Sequence, residues 1–319
     1  DIMGWLDSQA VQGAIADFAR PREVKLTIHR SDDRAEDFGF RQQRFQKSDS
    51  VGKTLKLVGH PERRISLFVG TNRVEWTMLR LPPPLRERGV SGFNKDAMKE
   101  FRTFWKKTLT RQGCEELQIN FETIYQGKDL VWDVDYPDHP GAAFGVANDI
   151  AKFLETKHGL HPQIVFSGSK GFHVWLHADE AESLVTKISP HWKKTYATQN
   201  DPLRYQAKLY RTVTETIYEE AADTPINYLD LAPIQRQGVI RCPYSLHPKT
   251  GQVVWPLDAE ERTALEKLIN ENFEVSLWEI VTTIHPWTAK NDYERPEFPE
   301  MGIHPATEVW QRGMPMWNL

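Results

Sequence analysis

Leu130-Val131-Trp132-Asp133-Val134-Asp135 is a short apolar run that carries two carboxylates two residues apart. Side chains alternate along a strand, so Asp133 and Asp135 point to the same side. Two carboxylates on an otherwise apolar strand repel each other unless a cation lies between them. Hard oxygen donors of this kind bind divalent ions, and two such ions can bridge the pair to the phosphates of a nucleotide. A surface Asp-x-Asp at a strand end is the alternative reading.

Two later segments extend this chemistry. Ser167-Gly168-Ser169-Lys170-Gly171-Phe172-His173 reads as a glycine-rich turn between strands at Pro162 to Phe166 and Phe172 to Leu176. Gly168 and Gly171 permit backbone conformations that turn N–H groups toward an anion. Lys170 adds a point charge for phosphate, and His173 can donate to a phosphate oxygen. The Walker spacing is absent, and an ordinary hairpin with a core histidine is the alternative. Asp230 adds a third carboxylate. Arg241 and His247, six residues apart, supply two groups that can grip phosphates or a sugar, and Pro248-Lys249-Thr250-Gly251 signals a hairpin turn. Taken alone, that segment also reads as a turn with incidental basic residues.

Working outward, residues 3–19 read as a helix with Trp5, Val11, Ile15 and Phe18 on one stripe. Val24 to His29 and Phe38 to Phe45 read as strands. Ile65 to Val69 and Val74 to Leu79 read as two strands joined by a Gly70-Thr71-Asn72 turn. Asn94 caps an expected helix to about Leu109, with Met98, Phe101, Phe104 and Trp105 inward. Leu117 to Tyr125 and Leu130 to Asp135 read as paired strands around Gln126-Gly127-Lys128. Helices are expected over Ala142 to Lys157 and Leu203 to Ala221, short strands at Tyr228 to Leu231 and Val253 to Leu257, and two acidic helices after Asp258. Five prolines over the last 35 or so residues argue against long regular elements there.

At 319 residues with 39% hydrophobic and 11% aromatic content, the chain can bury a sizeable core in one large or two modest domains. No apolar run approaches the ~20 residues needed to span a bilayer, so no membrane partner is expected. No signal peptide is visible, Asp1-Ile2 before Met3 reads as a cloning remnant, and the protein is expected to be intracellular, cytoplasmic in a prokaryotic host. Cys114 and Cys242 alone cannot build a disulfide framework or a four-cysteine zinc site. His158 and His161 have ligand-like spacing, but no second pair accompanies them, and they read as surface histidines.

The net charge of −4 is unevenly spread: twelve Lys/Arg against five Asp/Glu between His60 and Arg111, five against twelve between Asp258 and Leu319. A phosphate backbone responds to local basic surface rather than to the whole-chain sum. Arg73, Arg80, Lys99, Arg102 and Lys106 are therefore the candidate DNA contacts. A solvated basic face is the alternative.

The three segments together resemble the archaeo-eukaryotic primase superfamily, and are most similar to its small catalytic primase subunits and primase-polymerases. That family's pattern is Asp-x-Asp, then Ser-Gly-x-x-Gly-x-His, then a lone Asp followed by a basic residue and Pro-aromatic-Ser-x-His-Pro-Lys-Thr-Gly, and all occur here in order. Pro21-Arg22-Glu23 and Phe40-Arg41-Gln42-Gln43-Arg44-Phe45 resemble two upstream segments of the family, so the likeness covers roughly residues 20–257.

The resemblance implies an α+β fold in two lobes, an N-terminal lobe over 20–115 and an RNA-recognition-motif-like mixed sheet over 116–257, within a catalytic domain 1–257. An acidic, helical and proline-rich extension occupies 258–319. It implies that Asp133, Asp135 and Asp230 are metal-binding and catalytic, with two Mg2+ or Mn2+ ions. Ser167, Lys170 and His173 would hold the triphosphate, and Arg41, Arg241 and His247 would contact the incoming nucleotide. The position before Lys170, often basic in the family, is Ser169. The implied activity is template-directed nucleotidyl transfer on single-stranded DNA from dNTPs or NTPs, as a primase, a polymerase or both. A large primase subunit, a helicase or another replication protein are candidate partners. A gap-filling or end-joining polymerase that does not initiate, a non-catalytic nucleic-acid-binding subunit, and an interaction module built on the acidic C-terminal region are the alternatives.

Overall fold

The computed structural model describes residues 9–29, 35–36, 64–75, 95–136, 139–222, 226–247, 250–272 and 274–284. The expected strand at Phe38 to Phe45, the start of the first helix and the proline-rich C-terminal stretch lie outside them. Among the described residues no helix is long and apolar enough to cross a membrane.

The fold is α+β, built on two antiparallel sheets. The first has the order β2-β1-β3-β4, with β9 also pairing β3: β1 is Arg22–His29, β2 Ala35–Glu36, β3 Arg64–Val74, β4 Tyr125–Lys128 and β9 Val239–Arg241. The helix α1, Gln9–Ala19, precedes it and buries Val11, Ile15 and Phe18, the expected stripe. β3 continues through Gly70-Thr71-Asn72, where the sequence suggests a turn, with a bulge in its pairing to β1 between Val69 and Arg73. Tertiary partners absorb the turn-forming groups. Thr71 Oγ1 donates to Pro233 O, Asn72 Nδ2 donates to Arg236 O, and a Cβ at Gly70 would stand 3.1 Å from that of Glu23.

Between the sheets' strands lie α2, Lys95–Thr108, α3, Arg111–Glu116, and α4, Phe121–Ile124. α4 stands within the strand expected at Leu117 to Tyr125. Thr110 and Asn120 cap α3 and α4 through their side chains, and Phe121 and Ile124 bury one face at helical spacing. The expected pairing of this region with Leu130 to Asp135 is also corrected: β4 pairs β3, Asn72 opposite Lys128 and Val74 opposite Tyr125.

The second sheet has the order β10-β6-β7-β5-β8, from β5, Leu130–Asp135, β6, Gln163–Phe166, β7, Gly171–Leu176, β8, Leu229–Asp230, and β10, Trp255–Pro256. With α5, Pro140–His158, after β5 and α6, Ala178–Ile188, α7, Trp192–Thr198, and α8, Pro202–Ala221, between β7 and β8, this is a β-α-β-β-α-β ferredoxin-like arrangement. Every pairing in it is antiparallel, where a mixed sheet was expected. α5 starts on Pro140 and stops at Gly159, whose φ of 65° gives the left-handed cap. α9, Ala259–Glu271, opens with an Asp258/Glu261 capping box, and α10, Leu277–Ile284, follows.

One face of the second sheet packs on helices. Trp132 Nε1 donates to Thr214 O on α8, and Phe172 meets Phe144 of α5 edge-on. The opposite face meets the first sheet's elements, where Phe18 of α1 stands edge-on to Trp175 at 5.0 Å. A buried charged node ties the two together. Asp129, between β4 and β5, accepts from Arg22 Nε and Nη2 at 2.9 and 2.7 Å and from Arg73 Nε at 3.2 Å. Burial pushes its carboxyl up, but Arg22, Arg73 and His177 outweigh this and hold it at about 2.

Candidate active site

β5 is flanked by β7 on one edge and β8 on the other, and this decides which residues meet. Asp133 stands opposite His173 on β7 and opposite Asp230 on β8, while Asp135 stands opposite Gly171. Two carboxylates of one strand and a third remote in sequence thus share one end of the sheet. Asp133 is the most enclosed, its side chain 17% exposed. Burial first, then Asp135 and Asp230, raise its pKa well above the carboxylate range, and Arg241 and Lys170 only partly offset this.

Arg241 comes from the other sheet. On β9 it lies opposite Phe68, its guanidinium 5.1 Å from the Phe68 ring centre, and its Nη1 donates to Ser66 Oγ at 3.3 Å. Burial lowers its pKa, while Asp133 and Asp135 raise it. The carboxylate cluster and the half-buried Arg241 therefore belong to different sheets.

His173 is 2% exposed. Burial, with Arg241 nearby, lowers its pKa to about 3, so the ring is neutral at pH 7. Its Nε2 lies 3.4 Å from Asp133 Oδ1, a contact of a neutral ring with a carboxylate rather than an ion pair, and its Nδ1 has no hydrogen-bond partner. This places His173 beside Asp133 on the neighbouring strand.

The glycine-rich turn closes on itself and on the next hairpin. Ser167 N donates to Gly171 O at 3.0 Å, and Gly171 N donates to Ser167 Oγ at 3.2 Å, so the Ser167 hydroxyl braces the turn. Gly168 has φ +83°, and a Cβ there would stand 2.8 Å from that of His247. Thr250 Oγ1 donates to Gly168 O. The expected hairpin is present: Leu246 bridges Val253, and His247 N donates to Gln252 O at 2.8 Å. His247 is half-buried against the turn. The preceding Tyr244 is held at φ 66°, a left-handed conformation that costs ~1–3 kcal/mol and needs its packing on Trp255 and its N–H bond to Val254 O.

Lys170 and Asp230 are also engaged. Lys170 Nζ lies 3.1 Å from Asp135 Oδ2. Asp230 Oδ1 accepts from Ala232 N at 2.8 Å. As they stand, no three acidic, imidazole or thiol groups among the described residues converge on one ion. In kind the donors suit Mg2+ or Mn2+: three carboxylates, one of them desolvated and facing the other two.

Of the expected DNA contacts, Arg73 is corrected. It is 8% exposed and bound to Asp129, so it contributes no surface charge. Lys99, Arg102 and Lys106 are exposed on α2 at a spacing that puts them on one face. Arg41 and Arg80 lie outside the described residues. His161 is exposed and pairs with Glu180.

One feature of the site went unread in the sequence. Tyr136 and Tyr228 stack at 3.7 Å, linking the end of β5 to the start of β8 beside Asp135 and Asp230. The signal was an aromatic residue within two positions of each carboxylate.

No family model matches the chain, and no curated protein matches it. Among solved structures 34 chains match. One is the polymerase domain of Mycobacterium tuberculosis ligase D in complex with DNA, 13% identical, with 89% of this chain and 91% of that chain covered and a TM-score of 0.48.

Proposed function

We propose that this chain is a nucleotidyltransferase that joins nucleoside triphosphates on a DNA template, as a primase, a polymerase or both. The observation that carries the reading is the register of β8: Asp230 stands opposite Asp133, with Asp135 on the same strand as Asp133. Two carboxylates beside a third, desolvated one repel it, and that repulsion destabilises the fold unless cations offset it. They suit a reaction that needs cations.

Divalent ions held by Asp133, Asp135 and Asp230 would activate a 3′-hydroxyl and bind the triphosphate. The chain's own groups do the rest. Lys170 and Arg241 bring positive charge to a triphosphate from two sides. Arg241 is partly desolvated, which strengthens its attraction for developing phosphate charge. His173, neutral and buried, orients Asp133 through Nε2. The closed turn at Ser167 to Gly171 fixes the backbone from which Lys170 extends.

Synthesis on single-stranded DNA, with and without a primer, with dNTPs or NTPs and Mg2+ or Mn2+, tests the reading. Products under any of these conditions that vanish in Asp133→Ala support it. A folded protein with no synthesis in every combination overturns it. Extension without initiation would select the gap-filling alternative.

A further inference from the structure

We propose that Lys170 is the resident cation of the carboxylate cluster, that a divalent ion competes with it for Asp135, and that its release is what frees it for the triphosphate. This rests on the function proposed above and adds an order of events to it.

The geometry gives Lys170 two incompatible partners. Its ammonium is 3.1 Å from Asp135 Oδ2, and the other oxygen of that carboxylate lies over the Cα of Gly171. Both oxygens of Asp135 are therefore turned toward the Lys170-Gly171 segment. An ammonium on Asp135 and a divalent ion on the same carboxylate repel each other, so occupancy by one disfavours the other. The ammonium on its flexible stem can move, with a side chain 44% exposed.

The rest of the turn cannot move as easily. Two hydrogen bonds join Ser167 to Gly171, Gly168 is packed against His247, and Thr250 holds the Gly168 carbonyl. Displacement is therefore confined to the Lys170 side chain, which then extends from a fixed base beside the site. Arg241 cannot substitute in this role, because its guanidinium is held by Ser66 and Phe68.

The consequence has an unusual sign. Removing a phosphate-gripping lysine should tighten, not weaken, uptake of the metal alone. The test is Mn2+ titration of the full chain without nucleotide, followed by electron paramagnetic resonance, for wild type, Lys170→Gln, Lys170→Arg and Asp135→Asn. Lys170→Gln should bind Mn2+ about fivefold or more tightly than wild type. Lys170→Arg, which keeps the charge, should match wild type, and Asp135→Asn should remove the gain when combined with Lys170→Gln. In parallel, Lys170→Gln should raise the nucleotide KM. If wild type binds Mn2+ and Lys170→Gln binds it equally or more weakly, this proposal falls while the function stands. If neither wild type nor Lys170→Gln takes up Mn2+ without nucleotide, this proposal falls, and the synthesis assay alone decides the function.

Discussion

Asp135 leans over Gly171: a Cβ built at Gly171 would stand 2.1 Å from Asp135 Oδ1 and 2.5 Å from Val134 O. The glycine thus serves the strand opposite rather than its own conformation. It lets a carboxylate on β5 lie across β7, within reach of Lys170.

Gly171→Ala should therefore displace Asp135 and cost stability by overpacking, ~1–3 kcal/mol, with loss of synthesis. Gly145→Ala is the contrast. Nothing lies within 4 Å of a Cβ there, and the site is helical, so it should stabilise by ~0.4–1 kcal/mol. Chemical denaturation of both variants checks this. A silent Gly171→Ala would show that the Asp135 side chain and the Val134 backbone can both yield.

Asp133→Asn should separate fold from function. Burial and two neighbouring carboxylates disfavour the Asp133 charge, so neutralising it should leave the midpoint of thermal unfolding equal or higher. Synthesis should fall by ~10²–10³ or more, as for loss of an electrostatic group in a reaction centre. Asp135→Ala and Asp230→Ala should lose synthesis likewise. Near-normal activity in any folded variant removes that residue from the site.

Arg22→Ala should be among the most destabilising single changes. It leaves Asp129 buried with a weakened complement of cations, and breaking such a pair costs ~3–5 kcal/mol. Urea unfolding measures the loss. A change below about 1 kcal/mol would mean that Arg73 suffices alone.

Lys128 gives a pH dependence. It is fully buried, donating to Thr71 Oγ1 and Gln235 O, and burial lowers its pKa to about 7 against 10.5 for the free side chain. Between those values the unfolded chain holds the proton and the folded chain does not, so folding releases it and raising the pH favours the folded state. The penalty is complete below about pH 7 and relieved above it. Relative to Lys128→Met, wild type should gain up to about 1.4 kcal/mol per pH unit from 7 upward. Parallel stability curves for the two proteins from pH 7 to about 9 would refute the shift.

The exposed face of α2 is the remaining candidate for a template path. Lys99→Ala, Arg102→Ala and Lys106→Ala together should weaken single-stranded DNA binding and flatten its dependence on log salt by about 0.7 per lost contact. Unchanged affinity and slope would leave the face as solvated charge.

Local signals carried much of the second sheet. α5 and α8 are expected over Ala142 to Lys157 and Leu203 to Ala221, each beginning within two residues of its observed start, and β6 and β7 follow from apolar runs around a glycine turn. The same signals misled where a partner elsewhere in the chain changed their meaning. Gly70-Thr71-Asn72 has turn composition, yet Pro233, Arg236 and Lys128 take up the polar groups and keep β3 extended. Arg73 counts as positive charge in a basic stretch, yet Asp129 holds it in the interior.

By itself the sequence determined the kinds of group available: two carboxylates at strand spacing, a glycine-rich turn, and a lone aspartate ninety-odd residues on. These are properties of single segments, readable because side-chain alternation and backbone sterics act over a few residues. What only the tertiary structure decided was who faces whom. The register of β8 sets Asp230 opposite Asp133, β9 brings Arg241 across from the first sheet, and burial makes His173 neutral. Strand order and desolvation depend on contacts between residues far apart in the chain, and no local pattern encodes them.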